Sequence, residues 1–470
     1  MNRRKFFRNT SLGALGTSLL APFNSLEAAE TAASFKNKKA KNIILLVSDG
    51  MSTGTLNMAD LHLTRKTGIG SHWMNLYREN KVTRALMDTA SSNSIVTDSA
   101  AASSAWGGGV RVPNGRINID ANGEANLPIW QKFKSAGKKA GCVTTVPITH
   151  ATPAGFCINI KSRNDQDTIA EKYLEQDFDV LMGAGNEHFA PDKRKDGKDL
   201  YKAFTAKGYS VVKDKKAMQN ASRQKPLLGV FYDSGLPYAK DQENTKELAN
   251  NVPTLAEMTK KAIDNLKDAE NGFVLQVEAG KVDWAAHAND ITGLLYDQIA
   301  FDEAIKAAME FAEKDGETLV IITTDHGNAN PGVIYGSNAN TNFDSIQHYK
   351  FTNSWILNGL GKESSINTVK ERIAYANGIA IDDEAAKLLL SYYKNLNTDA
   401  GWYNPKKLPF RPLAELQKEH NSVGWISMQH SADYVELAMY GPGSELLTPF
   451  IKNTDLHYLM LNATEVQNNF

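Results

Sequence analysis

Two cysteines in 470 residues are too few to staple a fold, so the core must be built from apolar packing. Cys142 lies in an apolar, strand-like run and Cys157 in Phe156-Cys157-Ile158; they bridge only if the fold brings them together, and two buried thiols are the expectation. An excess of either charge is also missing. Lys and Arg total 52 against 53 Asp and Glu, a formal net charge of -1 with no basic stripe, which argues against nucleic acid as a dedicated partner. No apolar run in the mature chain is long enough to span a bilayer. There is no internal repeat. What remains, 42% hydrophobic and 22% charged residues, suits a large globular chain with an ample core.

The first 29 residues stand apart. Arg3-Arg4-Lys5-Phe6-Phe7-Arg8 precedes a short, mildly apolar run at 11–23, and Ala28 and Ala29 offer a cleavage region, the pattern of a twin-arginine export signal. No cysteine lies nearby to accept a lipid. Residues 30–41, rich in lysine, read as a linker, and the mature protein is expected to be periplasmic or secreted.

Beyond residue 41, apolar runs alternate with amphipathic segments. This predicts a doubly wound α/β unit: a mostly parallel central sheet with helices on both faces, formed by 42–331 and 424–470. Strands are expected at 43–47, 82–87, 94–97, 141–146, 179–182, 227–231, 273–277, 318–323, 423–428 and 434–439. Helices are expected at 54–64, 100–105, 127–135, 254–266 and 297–313. A helix that Pro153 can start should deliver Lys161-Ser162-Arg163 about three turns later. Asn114-Gly115 marks a turn. From 332 to 423 the pattern loosens, with helical pieces at 368–376 and 382–396, and reads as an inserted subdomain near the C-terminal third.

Four segments carry chemistry. Asp98-Ser99 opens an Ala-rich helix, and a hydroxyl at a helix N-terminus can attack an electrophile whose oxygens rest against the helix dipole. Alone, such a segment is an ordinary N-cap. Asp49 after 43–47, Glu278 after 273–277, and Asp325-His326 after 318–323 each follow a buried strand, and open α/β sheets bind ligands beyond the carboxyl ends of their strands. Carboxylates gathered at that edge repel one another unless cations lie between them. Asp283 and His287 are four apart, on one helix face, where two ligands can grip one zinc. His62, His72, His188, His348, His420 and His457 lack such surroundings and are assigned to surface or packing.

Taken together, Asn42 to Met51, Val96 to Trp106, Ala151 to Pro153 with Ser162-Arg163, 179–185, 227–236, 253–290, 301–326 and His430 with Tyr440-Gly441-Pro442 resemble the metal-dependent alkaline phosphatases in composition and order. That resemblance implies two zinc ions, one held by Asp283, His287 and His430 and the other by Asp49, Asp325, His326 and Ser99. It implies a third ion, magnesium or zinc, on Asp49, Thr152 and Glu278. Arg163 resembles the guanidinium that clamps phosphate, oriented by Asp98, and Ser99 the nucleophile that becomes a phosphoserine. Small phosphate monoesters would be the substrates, and a homodimer is compatible with the family.

Two positions depart from the best-known bacterial pattern. His150 stands where that pattern has Asp, and Trp284 where it has Lys, and both would modulate the third ion and phosphate retention. Among rivals, a sulfatase needs Cys or Ser followed by x-Pro-x-Arg, whereas Ser99 is followed by three alanines. A phosphodiesterase usually lacks the equivalent of Arg163. A phosphate- or metal-binding protein without turnover could dispense with Ser99.

Overall fold

A computed structural model describes residues 35, 38–394, 396, 398–399, 402–403 and 407–468. The export-signal segment 1–29 and most of the linker lie outside the described residues. The main sheet has 10 strands: β1 Asn42–Val47, β2 Thr83–Asp88, β3 Lys139–Pro147, β4 Val180–Ala184, β5 Ser210–Val212, β6 Leu227–Val230, β7 Phe273–Glu278, β8 Thr318–Thr323, β9 Val435–Tyr440 and β10 Phe450–Lys452. Their spatial order is β10-β2-β9-β8-β1-β7-β3-β4-β6-β5. Every pairing is parallel except those of β9, which runs antiparallel between β8 and β2.

The central strands are buried on both faces, as their continuous apolar runs require. Along β1, Ile44 and Leu46 join one apolar layer while Ile43, Leu45 and Val47 join the other, the alternation that a pleated strand imposes. Seven helices matter below: α1 Thr53–Thr67, α2 Ser99–Gly108, α3 Ala151–Cys157, α4 Leu255–Leu266, α5 Lys281–His287, α6 Ile291–Asp315 and α7 Asp455–Ala463. Thr254 and Glu257 close a capping box at the start of α4. Helices α1, α4 and α6 cover the face that holds Ile44 and Leu46, and α2, α3 and α7 the other. Cys142 and Cys157 are both free and buried.

Three expectations need correction. Residues 94–97 form no strand, because Asn114 binds the backbone on both sides of Thr97 and takes the place of a ladder. The helix at Pro153 ends at Cys157, so Arg163 is not on it: Asn118 takes the carbonyls of Gly155 and Ile158, and Ile160 bridges to Ile117. Of 423–428 only Val423–Gly424 is a strand, paired with Gly332–Val333. Segment 332–423 is also richer in helix than its sequence suggests, with Ala339–Ser345, Asn353–Asn358, Ile366–Asn377, Asp383–Ser391 and Phe410–Asn421. Its Phe343, Ile346 and Ile356 share the apolar layer of α1 and α6. Helix α7 carries no signal that the sequence reading used.

Candidate active site

The register of the parallel strands sets the site. Val47 of β1 stands beside both Glu278 of β7 and Thr323 of β8, and Glu278 stands beside Thr144 of β3, so four chain segments leave the sheet at one level. Asp49, Asp325-His326, Glu278 and His150 then emerge within one small volume. Gly50 makes the convergence close. Its φ is +68°, and a Cβ there would fall 2.5 Å from Asp283 Oδ1, so a side chain would displace the Asp283 carboxylate.

Helix α2 presents Ser99 at its first position, with Asp98 as N-cap accepting from the Ala101 N–H. Ser99 Oγ lies 3.3 Å from His326 Nε2. The same nitrogen faces Asp325 Oδ2 at 3.2 Å and Asp49 Oδ1 at 3.6 Å. Asp325 is fixed through its other oxygen, which accepts from the backbone of Gly50 (2.9 Å) and His326 (3.0 Å).

A second cluster joins Asp283 and His287 of α5 to His430. His287 Nε2 and His430 Nε2 are 3.0 Å apart, each 3.5 Å from a carboxylate oxygen of Asp283. The Nδ1 atoms pair with the carbonyls of Met428 (2.7 Å) and Thr97 (2.9 Å), which sets both rings as Nδ1–H tautomers. His430 reaches this place because His430–Ser431 pairs antiparallel with Gly327–Asn328, immediately after Asp325-His326.

The third cluster is Asp49, His150 and Glu278, with Thr152 at the second position of α3. Thr144 donates a short hydrogen bond to Glu278 Oε2. His150 Nε2 accepts from Arg163 Nη2 at 3.0 Å, and its ring meets Trp284 edge-on at 6.3 Å. Arg163 Nη1 donates to Asp98 Oδ2 at 3.1 Å. Sequence reasoning assigned His150 a modulating role, whereas its nitrogen lies among the ligand atoms of this cluster. It overlooked Asn328, whose amide donates to Asp283 Oδ1 at 2.7 Å, and Thr144, which stands beside Glu278 in the sheet register; neither carries a signal of its own in the sequence.

Electrostatically the site is a cluster of buried carboxylates that raise one another's pKa. Burial raises Asp49 well above the usual carboxylate range, reinforced by Asp325, Asp283 and Glu278. Burial raises Glu278 and Asp325 too, each with Asp283 adding to the shift. Asp283 moves the other way: burial pushes it up, but His287, His430 and His326 more than offset this. Burial, with Arg163 beside it, lowers His150 to about 3, so the ring is neutral and free to accept. Both Asp49 oxygens, Thr152 Oγ1, Glu278 Oε1 and Asp325 Oδ2 are buried without a hydrogen-bond partner. Orphaned oxygens and facing imidazole lone pairs fit divalent cations, and in each cluster the ligand atoms lie within 4.8 Å of one another.

The family model for alkaline phosphatase matches residues 40–466. The chain belongs to the alkaline phosphatase family. It is 32% identical over 440 residues to alkaline phosphatase 4 of Bacillus subtilis, covering 92% of this chain and 90% of that protein. It is 33% identical over 338 residues to the Escherichia coli alkaline phosphatase, covering 63% of this chain and 72% of that one. The crystal structure of Thermus thermophilus alkaline phosphatase is similar at a TM-score of 0.84 and 32% identity, with 96% of each chain covered. Membership makes the chain an enzyme, a phosphomonoesterase of a metal-dependent family, on the mostly parallel α/β fold described above.

Proposed function

We propose that this phosphatase works through a phosphoserine on Ser99, with zinc on Asp283, His287 and His430 and on Asp49, Asp325 and His326, and magnesium or zinc on Asp49, Thr152 and Glu278 beside His150. The observation that carries this reading is the place of Ser99 Oγ, at the first position of α2 and 3.3 Å from His326 Nε2 in a cluster of orphaned carboxylate oxygens. Cations bound there supply Lewis acidity, which makes the hydroxyl a stronger nucleophile and offsets charge on the attacking and leaving oxygens.

The chain's own residues do the rest. Asp98 and His150 each take one hydrogen from a different terminal nitrogen of Arg163, and each of those nitrogens has a second hydrogen for a free phosphoryl oxygen. Asp98 also caps α2, so one carboxylate fixes both the clamp and the helix that holds the nucleophile. In-line attack by Ser99 Oγ on phosphorus forms the serine ester and expels the alcohol; water then attacks the same phosphorus, releasing phosphate and restoring the hydroxyl.

Segment 332–423 is proposed to shape access to this site rather than its chemistry. Residues 1–29 are proposed to send the folded protein through the twin-arginine route; among the described residues no helix is long and apolar enough to cross a membrane.

The test is acid quenching during turnover of a phosphorus-labelled aryl phosphate. Label should remain on the protein at Ser99 and be absent from Ser99→Ala, whose activity falls by about three orders of magnitude or more while its zinc content stays nearly intact. A Ser99→Ala enzyme that keeps most of its rate sinks the serine route.

A further inference from the structure

The turn at Asn114-Gly115 lies outside the catalytic and metal-binding set, yet its hydrogen bonds run to Asp98 and Arg163 and to the Val96 carbonyl beside Thr97. Asn114 Oδ1 accepts the Asp98 N–H at 3.2 Å, and Asn114 Nδ2 donates to the Val96 carbonyl at 3.0 Å. One side-chain amide therefore grips the backbone on both sides of Thr97, much as a neighbouring strand would. The carbonyl left between these two bonds is that of Thr97, which accepts the Nδ1 proton of His430 at 2.9 Å. Asn114 is itself held, its N–H donating to Asn93 Oδ1 at 3.0 Å.

Gly115 continues the set through its backbone. Its N–H donates to Asp98 Oδ2 at 3.0 Å, the same oxygen that receives Arg163 Nη1, and its carbonyl accepts the Arg163 N–H at 2.9 Å. Its φ of +84° is the left-handed geometry that favours glycine, although a Cβ there would meet nothing within 4 Å. The demand at this position is therefore conformational rather than steric.

We propose that Asn114 is a positioning residue: by holding Val96 and Asp98 it aims the Thr97 carbonyl at His430, while Gly115 holds the Asp98–Arg163 pair, so one turn aligns the nucleophile helix, the phosphate clamp and a metal-ligating histidine. The assignment rests on the roles proposed above for Ser99, Arg163 and His430. Asn114 touches neither substrate nor reacting atoms in that reading. It acts through a tautomer and a backbone, the kind of outer contact whose loss typically costs about 10- to 100-fold in metal affinity or activity.

The test uses the full mature enzyme and four variants. Asn114→Ala removes both amide bonds; Asn114→Asp keeps the acceptor for Asp98 N–H but loses the donor to Val96; Gly115→Ala strains the turn without a clash. Asn114 is exposed, so neither of its variants should move Tm by more than about 2 °C, whereas Gly115→Ala carries the cost of a positive φ and is compared per folded enzyme. Asn114→Ala should lower kcat/KM for an aryl phosphate by about 10- to 100-fold, weaken inhibition by inorganic phosphate, and speed zinc loss to a chromophoric chelator, a readout independent of turnover. Asn114→Asp should fall between the wild type and Asn114→Ala, and Gly115→Ala should weaken phosphate inhibition.

Phosphate inhibition and zinc release within twofold of wild type in Asn114→Ala would overturn the proposal. So would losses that vanish when rates are expressed per folded, active-site-titrated enzyme. Ser99→Ala is the separate control: if it stays active, the underlying reading fails whatever Asn114 does, whereas an inactive Ser99→Ala beside a silent Asn114→Ala rejects the positioning role alone.

Discussion

His287 Nε2 and His430 Nε2 face each other across 3.0 Å, and both rings give their only proton to a backbone carbonyl on the far side. Two lone pairs at that distance repel unless a cation lies between them, with Asp283 completing the set. Chelation should therefore cost stability as well as activity: each cation held at a thousandfold excess over its Kd contributes about 4 kcal/mol. Calorimetry with and without chelator should show a lower Tm for the stripped enzyme, restored by zinc. Identical melting curves would mean that the clusters hold no cation in solution.

In the proposed mechanism Arg163 binds phosphate through a fork. A monoester offers two free oxygens to it, whereas a diester has one of them blocked. Arg163→Lys keeps the charge and loses the geometry, so kcat/KM for monoesters should drop by about 1 to 3 kcal/mol in transition-state terms, with weaker phosphate inhibition. Diester hydrolysis should change much less. Equal losses for both ester classes would remove Arg163 from the clamp.

On the proposed reading, His150 sets which ion the third cluster prefers. Asp49, Glu278 and Thr152 offer oxygens, and the neutral His150 ring has a single lone pair, which goes either to the Arg163 hydrogen or, as a nitrogen ligand, to an ion. Magnesium takes oxygen ligands, whereas imidazole suits zinc. His150→Asp should lower the magnesium concentration for half-maximal activation by about an order of magnitude, and a carboxylate there can still accept from Arg163. An unchanged magnesium titration would place the third ion elsewhere.

A pH effect on stability is expected far from the active site. His62 of α1 is buried against the rings of Tyr296 (5.4 Å) and Phe343 (6.4 Å), with neither nitrogen hydrogen-bonded. Burial, with Lys66 and Lys240 adding to it, holds its pKa down to about 4. The unfolded ring titrates near 6.5, so between these values the unfolded chain binds the extra proton and stability falls as pH falls. The contribution is intact above about 6.5 and lost towards 4, a swing of about 3 kcal/mol. His62→Leu should flatten that limb in denaturant titrations from pH 4.5 to 7, and parallel curves for the two proteins would refute it.

The site was legible where its chemistry is local in the chain. Asp283 and His287 show their shared helix face by spacing alone, and Asp49, Glu278 and Asp325 betray themselves by following buried strands. Arg163 was assigned its role by resemblance but placed on the wrong element, because the signal that ends α3 at Cys157 is the Asn118 side chain, distant in sequence and unmarked by glycine or proline. Residues 94–97 have the β-branched composition of a strand but no ladder to join, since Asn114 already holds them. The helices 339–345 and 353–358 pack on α1 and α6 through scattered apolar residues, and the segment's periodicity is diluted by Asn, Gly and Lys. Asn328 and Thr144 escaped because a hydroxyl or amide acquires meaning only from the carboxylate it meets.

The antiparallel strand has a consequence for how the chain is made. Strand β2 ends at Asp88, yet both strands that hydrogen-bond to it, β9 and β10, begin after residue 434. His430, just upstream of β9, follows every other residue of the three clusters in the chain. A chain made as far as residue 429 therefore still carries a sheet with an unfilled slot beside β8 and a candidate metal cluster short of one imidazole. Synthesis runs far ahead of both closures, so a chain that stops before β9 leaves β2 unpaired and exposes two edges to other chains. The imidazole of His430 and the strand that fills the slot are thus delivered by one short stretch of chain, 430–440.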